Sequence, residues 1–358
     1  MNILHMAPDF DINSGITKYI LDLFKYSRND ADIHFSFITN KGNALYRLDQ
    51  LGIKYEIIPF SNGIKNILYV GQNEKDIKNY CQQNNIDIIH THHRYLELVA
   101  NNVKKSITVK TITTAHSMVA GFSKSSYKSD YIIAVSKAVN DRIVDLFKVS
   151  KNRVETIYNC VPIPEYIPAD VKREKEKLGI KTGDSVFLFV GRGTKLKGAD
   201  VLIKAFNKIF IKYPSSYLIM IADQFDKSVL KLKLCNNIKI MAPEENISKY
   251  YSLADAVVLP SLQDSFPYVM LESGLMKKCF IASKVGGMAE FLDENTALLI
   301  PPNDDKLLEQ KMEYVINNKT EIDKIGLNLY NKVLPLTNCQ EYYSKLKTIY
   351  NNLIDKNV

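Results

Sequence analysis

Short apolar runs alternate with amphipathic helical patterns along almost the entire chain. The runs are three to seven residues long and rich in Val, Ile, Leu and Phe, as expected for strands buried on both faces. Because parallel strands must be joined by a long crossover, usually a helix, this alternation predicts parallel sheets flanked by helices. We therefore predict an α/β fold with strands near residues 3–6, 33–39, 55–58, 86–90, 109–113, 131–135, 154–158, 186–190, 218–222, 238–241, 257–259, 280–282 and 298–300.

The alternation is interrupted once, between residues 161 and 168, where three prolines occur close together. Closely spaced prolines end regular structure and favour a linker. A chain of 358 residues can bury two cores, and its 46% hydrophobic and 24% charged residues exclude a disordered protein. We expect two Rossmann-like domains, at 1–165 and 166–339, and the cleft that they face is the expected active site.

The five cysteines, at positions 81, 160, 235, 279 and 339, are scattered and odd in number. Since no Cys-x-x-Cys pair is present, we expect neither a disulfide nor a structural zinc site, and we infer a reducing compartment. The first residues form a strand-length run rather than a cationic leader, and no run approaches 18 apolar residues. We expect a cytoplasmic protein that can contact the inner face of the cell membrane peripherally.

The chain carries a net charge of +8, and its first 160 residues hold 20 basic and 15 acidic side chains. This mild excess is typical of a solvated lysine-rich surface, and it is also compatible with weak contact to an anionic membrane or with an anionic substrate. The sequence has no basic nucleic-acid-binding module and no basic patch interleaved with aromatic residues. We therefore expect no nucleic-acid partner.

A glycine-rich loop at 191–198 follows one predicted strand and contains the cations Arg192 and Lys197. In an open parallel sheet, ligands bind beyond the carboxyl ends of the strands, so these cations are placed to bind an anion such as a diphosphate. The amphipathic helix after the loop is expected to bury Val201, Leu202, Ala205, Phe206, Ile209 and Phe210.

A second turn, after the predicted strand at 257–259, carries the carboxylates Asp264 and Glu272 on either side of a helix start. Ser265 is the expected N-cap, and a proline two residues later fits the first helical turn. Free N–H groups at a helix start attract anions, and a carboxylate within the helix can bind hydroxyl groups. We predict that this turn and the 191–198 loop bind one ligand. The turn's share comes from Ser265, Phe266, Pro267 and Tyr268.

These blocks, in their order and spacing, resemble the donor-sugar domain of the retaining glycosyltransferases of family 4, which have the GT-B fold. The resemblance extends to residues 285–290 and to the first half, where Ser14-Gly15 resembles the family's glycine loop and 113–116 its strand end with a histidine. The first carboxylate of the pair is usually Glu in this family, and here it is Asp264.

The resemblance implies an enzyme of hexosyltransferase type, working in cell-surface polysaccharide biosynthesis. It would move a sugar from a nucleotide-diphosphate donor to a hydroxyl of a glycan or lipid-linked glycan, with retention and without a metal or other cofactor. It also implies that the last helix, within 340–358, joins the first domain. The implied catalytic residues are His116, Arg192, Lys197 and Asp264, and the implied donor-binding residues are Gly15, Arg192, Lys197, Ser265, Phe266, Pro267, Tyr268 and Glu272.

Other functions remain open at this point. A sugar-nucleotide epimerase of the same fold would convert the donor without an acceptor, a phosphorylase would transfer sugar to phosphate, and a binding subunit would bind the donor without converting it.

His90, His92 and His93 have the composition of a metal cluster, but strand alternation puts only His90 and His92 on one side. We therefore expect no metal site.

Overall fold

The computed structural model describes residues 1–60, 66–121, 125–163 and 171–355, with the backbone alone at 66–68. The chain divides into two compact units, one formed by Met1–Cys160 with Asn338–Val358 and the other by Val161–Thr337. The boundary predicted between residues 165 and 166 lies outside the described residues.

The first unit is built on a seven-stranded parallel sheet with the strand order β3-β2-β1-β4-β5-β6-β7. Its strands are β1 Asn2–Met6, β2 His34–Thr39, β3 Lys54–Ile57, β4 Ile88–Thr91, β5 Lys110–Ala115, β6 Tyr131–Ala134 and β7 Val154–Thr156. Its helices are α1 Gly15–Ser27, α2 Tyr46–Leu51, α3 Asn66–Gln83, α4 Arg94–Val103, α5 Lys137–Phe147 and, from the C-terminal end of the chain, α13 Cys339–Asp355.

The second unit has a six-stranded parallel sheet with the strand order β10-β9-β8-β11-β12-β13. Its strands are β8 Ser185–Val190, β9 Ser216–Ile221, β10 Ile238–Met241, β11 Ala256–Leu259, β12 Cys279–Ser283 and β13 Leu298–Ile300. Its helices are α6 Val171–Lys177, α7 Ala199–Lys212, α8 Ser248–Leu253, α9 Tyr268–Leu275, α10 Gly286–Phe291, α11 Asp305–Asn317 and α12 Lys319–Val333.

All thirteen predicted strands are present, and the predicted α/β class with parallel sheets is confirmed. Strand order reverses between β1 and β4 in the first sheet and between β8 and β11 in the second, and ligands of such sheets bind at these switch points. Helix α7 buries its predicted apolar face, except that Phe210 is only half-buried. In the described part of the chain, no helix is long and apolar enough to cross a membrane.

Two cysteines correct the expectation of no disulfide. Cys160 and Cys339 are buried, their Cα atoms are 5.4 Å apart, and their sulfur atoms are bonded. They lie where the chain leaves the first unit and where it returns to it, so the fold brings together residues 179 positions apart. An odd number of cysteines does not exclude one bonded pair. The inference of a reducing compartment, which rested on the absence of disulfides, is therefore no longer supported.

Candidate donor site

The loop after β8 is held against the end of β11 by a glycine. Gly198 has φ +72°, a conformation that L side chains rarely adopt, and a Cβ atom there would lie 2.0 Å from the carbonyl oxygen of Pro260. A second backbone contact joins the same two segments, since the amide of Leu262 donates to the carbonyl oxygen of Leu196 at 2.9 Å. The loop is therefore fixed at the switch point of the second sheet.

This packing brings together two side chains that the sequence predicts for one ligand. The ammonium group of Lys197 lies 2.6 Å from Oδ2 of Asp264, and the two side chains are only 21% and 8% exposed. The hydroxyl of Ser261 donates to the same carboxylate oxygen at 3.3 Å. Since the ion pair is partly desolvated, its charges interact more strongly than an exposed pair would. Arg192 lies in the same loop, with an exposed side chain.

The start of α9 differs from the prediction. The N-cap residue is Pro267, without a side-chain cap, so the predicted capping role of Ser265 is wrong. The amide of Ser265 donates instead to Oδ1 of Asp264 at 3.0 Å, and Pro267 has no N–H to offer. Phe266 is 3% exposed and packs edge-to-face on Phe291, with 5.3 Å between ring centroids. Of the four predicted turn residues, Tyr268 is the one that begins the helix.

The glycine pair at 286–287 brings α10 against this turn. A Cβ atom on Gly287 would lie 1.8 Å from the carbonyl oxygen of Ser265, and the Gly287 amide donates to the carbonyl oxygen of Asp264 at 3.2 Å. A larger residue at 287 would push the Asp264 turn away from its place.

Glu272 lies on α9, and a tyrosine on the neighbouring helix α8 holds it. The hydroxyl of Tyr251 donates to Oε2 of Glu272 at 2.7 Å, and the Tyr251 side chain is 2% exposed. Burial, together with the nearby Glu272 carboxylate, raises the pKa of Tyr251 well above its ordinary value, so the hydroxyl keeps its proton and donates. Sequence reasoning missed Tyr251 because a tyrosine on the buried side of a short helix gives no sign of which residue its hydroxyl will bind.

In the first unit, the two residues assigned by resemblance lie at the carboxyl edge of the sheet. Gly15 begins α1, whose N-cap Ser14 accepts a hydrogen bond from the amide of Thr17. His116 follows β5 and is half-buried, and its Nε2 lies 3.0 Å from Nδ1 of His92. Burial lowers the pKa of His116 below its ordinary value, which favours the neutral ring.

His90 and His92 do lie close together, and the structure adds His5 beside them. One ring nitrogen from each lies within 4.8 Å of the others, and all three side chains are buried. Protein groups occupy both nitrogens of His90, with the Tyr350 hydroxyl at 2.8 Å and the Thr114 hydroxyl at 2.7 Å. The absence of a metal site remains a prediction. Sequence reasoning treated these rings only as metal ligands and missed their contact with His116.

Two family models match the chain. The model described as glycosyl transferases group 1 matches residues 170–332, and the model of glycosyltransferase family 4 matches residues 13–164. Together they span most of the sequence. The family 4 model covers Gly15 and His116, and the group 1 model covers the Lys197 and Asp264 loops.

Known sequences and solved structures agree with these models. An uncharacterised glycosyltransferase of Methanocaldococcus jannaschii is 25% identical over 92% of both chains. N-acetyl-alpha-D-glucosaminyl L-malate synthase of Bacillus anthracis is 23% identical over 77% of this chain and 78% of its own. A glycosyltransferase structure from Rickettsia africae has a TM-score of 0.81 at 24% identity, covering 100% of this chain and 99% of that one. Anabaena HepE, solved with UDP and glucose, has a TM-score of 0.80 at 18% identity, covering 96% and 99%.

The solved structures share the GT-B fold expected from the sequence, which the two parallel sheets with their flanking helices match. With both family models matched in order along the chain, this protein belongs to the group 1 glycosyltransferases and is a glycosyltransferase of family 4.

Proposed function

We propose that this glycosyltransferase moves a sugar from a nucleotide-diphosphate donor to a hydroxyl of a glycan or lipid-linked glycan, with retention of the anomeric configuration. The observation that carries the proposal is the Lys197–Asp264 ion pair, because it joins the loops after the adjacent strands β8 and β11. A cation and a carboxylate at this switch point suit the diphosphate and the hydroxyls of one ligand. The UDP and glucose bound to Anabaena HepE support the same class of donor.

The chemical role of the cations follows from the charge that develops in the reaction. When the sugar leaves, negative charge grows on the diphosphate, and fixed cations stabilise that charge more than they stabilise the intact donor. We assign this role to Arg192 and Lys197, with help from the first N–H groups of α9. No metal is needed in this scheme, because the two cations supply the positive charge.

The two carboxylates are assigned to different parts of the donor. Asp264 already binds Lys197, so the ammonium group can bridge the carboxylate and a phosphate while Asp264 meets the sugar. Glu272, held by Tyr251, is assigned to the ribose hydroxyls. His116 and the Gly15 loop, both in the first unit, are assigned to the transfer reaction on the family resemblance.

The biological setting is also part of the proposal. We assign the enzyme to cell-surface polysaccharide biosynthesis in the cytoplasm, with weak peripheral contact at the inner face of the cell membrane. The support is the family resemblance and the net charge of +8, which attracts the chain to anionic lipid headgroups.

The test begins with a thermal-shift screen of nucleotide sugars, starting with UDP-glucose, which HepE binds. A ligand at 100 times its dissociation constant adds about 2.7 kcal/mol of stability, which such a screen detects. The best donor is then incubated with glycan and lipid-linked acceptors, with and without EDTA. We expect transfer that requires an acceptor and survives EDTA. Donor conversion without any acceptor would instead identify an epimerase, and stabilisation without turnover would identify a binding subunit.

A further inference from the structure

Three histidines form a line of ring contacts at the carboxyl edge of the first sheet. Nδ1 of His5 lies 2.9 Å from Nε2 of His92, and Nδ1 of His92 lies 3.0 Å from Nε2 of His116. The three residues belong to β1 or directly follow β4 and β5, which are adjacent in the sheet. The line therefore begins in the core of the first unit and ends at His116.

The rings in this line are neutral at physiological pH. His5 is fully buried and His92 is 2% exposed. Burial lowers the pKa of His5 to about 3, and burial together with the neighbouring histidines lowers the pKa of His92 well below its ordinary value. A neutral imidazole has one N–H donor and one bare nitrogen acceptor. His92 must therefore donate to one neighbour and accept from the other.

This requirement couples the tautomers of the three rings. If His92 carries its proton on Nδ1, it donates to Nε2 of His116 and accepts from Nδ1 of His5, so all three rings are protonated on Nδ1. If it carries the proton on Nε2, all three are protonated on Nε2. Any mixed arrangement places two N–H groups or two lone pairs face to face and loses a buried hydrogen bond.

The coupling determines what His116 offers to a substrate. Within the described ranges, Nδ1 of His116 has no hydrogen-bond partner, whereas its Nε2 faces His92. In the first arrangement Nδ1 is a donor, and in the second it is an acceptor. The tautomer of His92 thus decides whether Nδ1 of His116 donates or accepts a hydrogen bond.

Two other uses of the cluster fit the contacts less well. A metal ion held by His5, His90 and His92 would displace one of the two hydrogen bonds of His90, either to Tyr350 or to Thr114. A proton relay would need an exit, and Nε2 of His5 is buried without a partner, so the line ends there. The contacts instead fit a positioning role, in which the two buried rings hold His116 in place.

We propose that His92, held in turn by His5, is a positioning residue that fixes the tautomer and orientation of His116. The proposal rests on the proposed role of His116 in the transfer reaction. It names no new substrate contact for His92, which acts only through His116.

The substitution test uses a matched pair at one position. The amide group of Asn occupies roughly the place of the imidazole Nδ1, and that of Gln the place of Nε2. His92→Asn therefore keeps a partner for His116 and loses the contact with His5, whereas His92→Gln does the reverse. We expect kcat to fall at least about tenfold in His92→Gln and to fall clearly less in His92→Asn, which keeps a hydrogen-bond partner for His116 but loses the contact with His5, with donor KM little changed in both. Equal losses in the two variants would indicate a merely structural role and overturn the proposal.

A second measurement needs neither turnover nor a variant that folds well. Ring ¹⁵N NMR of the full-length, histidine-labelled wild-type protein reports the tautomer of each imidazole, with the exposed His34 as an internal reference. We expect one common tautomer for His5, His92 and His116, and a tautomer mixture at His116 in His92→Gln. Different tautomers within the wild-type line, or one tightly bound zinc per chain by elemental analysis, would overturn the proposal. A common tautomer in a protein without transferase activity would instead reject the proposed function and leave the coupling intact.

Discussion

The hydrogen bond from Tyr251 to Glu272 allows a test of the donor site at the level of one atom. Tyr251→Phe removes the hydroxyl that donates to Oε2 of Glu272 at 2.7 Å and keeps the ring that fills the core. The bond exists before any ligand arrives, so its loss removes no ligand contact. It removes one of the contacts that order the Glu272 side chain before binding, so the ligand must supply more of that ordering.

The size of the effect follows from that ordering. Fixing a glutamate side chain costs up to about 1.5–2 kcal/mol of conformational entropy, and about 1.4 kcal/mol changes an equilibrium constant tenfold. We therefore expect Tyr251→Phe to weaken binding of the nucleoside diphosphate by as much as roughly 10- to 30-fold. Isothermal titration calorimetry with the diphosphate released from the best donor measures this change directly.

A matched control lies at the opposite edge of the same sheet. The Tyr213 hydroxyl, at the amino end of β9, donates to Oε1 of Glu313 at 2.8 Å, so Tyr213→Phe removes the same kind of bond away from the site. We expect about 1 kcal/mol of lost stability in each variant and unchanged nucleotide affinity in the control. Wild-type affinity in a well-folded Tyr251→Phe would refute the assignment of Glu272 as a nucleotide ligand held by Tyr251.

Three further predictions concern the two donor-site carboxylates, the buried His5 and the membrane. Asp264→Asn should impair transfer and leave the affinity for the bare nucleoside diphosphate unchanged or tighter, because it releases Lys197 from its ion pair. Glu272→Ala should instead weaken binding of the bare nucleoside diphosphate. Equal losses of affinity in the two variants, measured by calorimetry, would contradict this division. Because the pKa of His5 falls from 6.5 to about 3 on folding, its stabilising effect is complete above pH 6.5 and is lost as the pH falls towards 3. Between pH 7 and 5 the wild type should lose about 2 kcal/mol more unfolding free energy in urea than His5→Phe does, and equal losses would show that His5 protonates in the folded state. Weak binding to anionic vesicles should disappear at high salt, and equal sedimentation with neutral and anionic vesicles at low salt would remove the membrane proposal.

The fold could be predicted from the sequence because strands buried on both faces are continuous apolar runs. Val186 to Val190 and Val257 to Leu259 are such runs, and both lie within strands of the second sheet. Local rules were less reliable at the start of α9. There the Ser265 amide bonds to the Asp264 carboxylate, the chain bends at 265–266, and Pro267 is extended just before the helix begins.

What the sequence could not provide were contacts that depend on strand order and chain return. His5 and His92 are 87 residues apart, and they meet only because β1 lies beside β4. Cys160 and Cys339 meet only because the chain returns to the first unit at α13. Tyr251 lies 21 residues before Glu272, and an apolar position on a short helix gives no sign of its polar bond.

The central claim is that cations at the carboxyl edge of the second sheet stabilise the departing diphosphate. The most direct measurement compares turnover of the best donor by wild type, Lys197→Ala, Arg192→Ala and Lys195→Ala. Lys195 is an exposed lysine of the same loop, two residues from Lys197, and serves as the control. We predict turnover about 100-fold lower in Lys197→Ala and in Arg192→Ala, with the fold intact and Lys195→Ala near wild type. Near-normal turnover in both Lys197→Ala and Arg192→Ala would contradict the account.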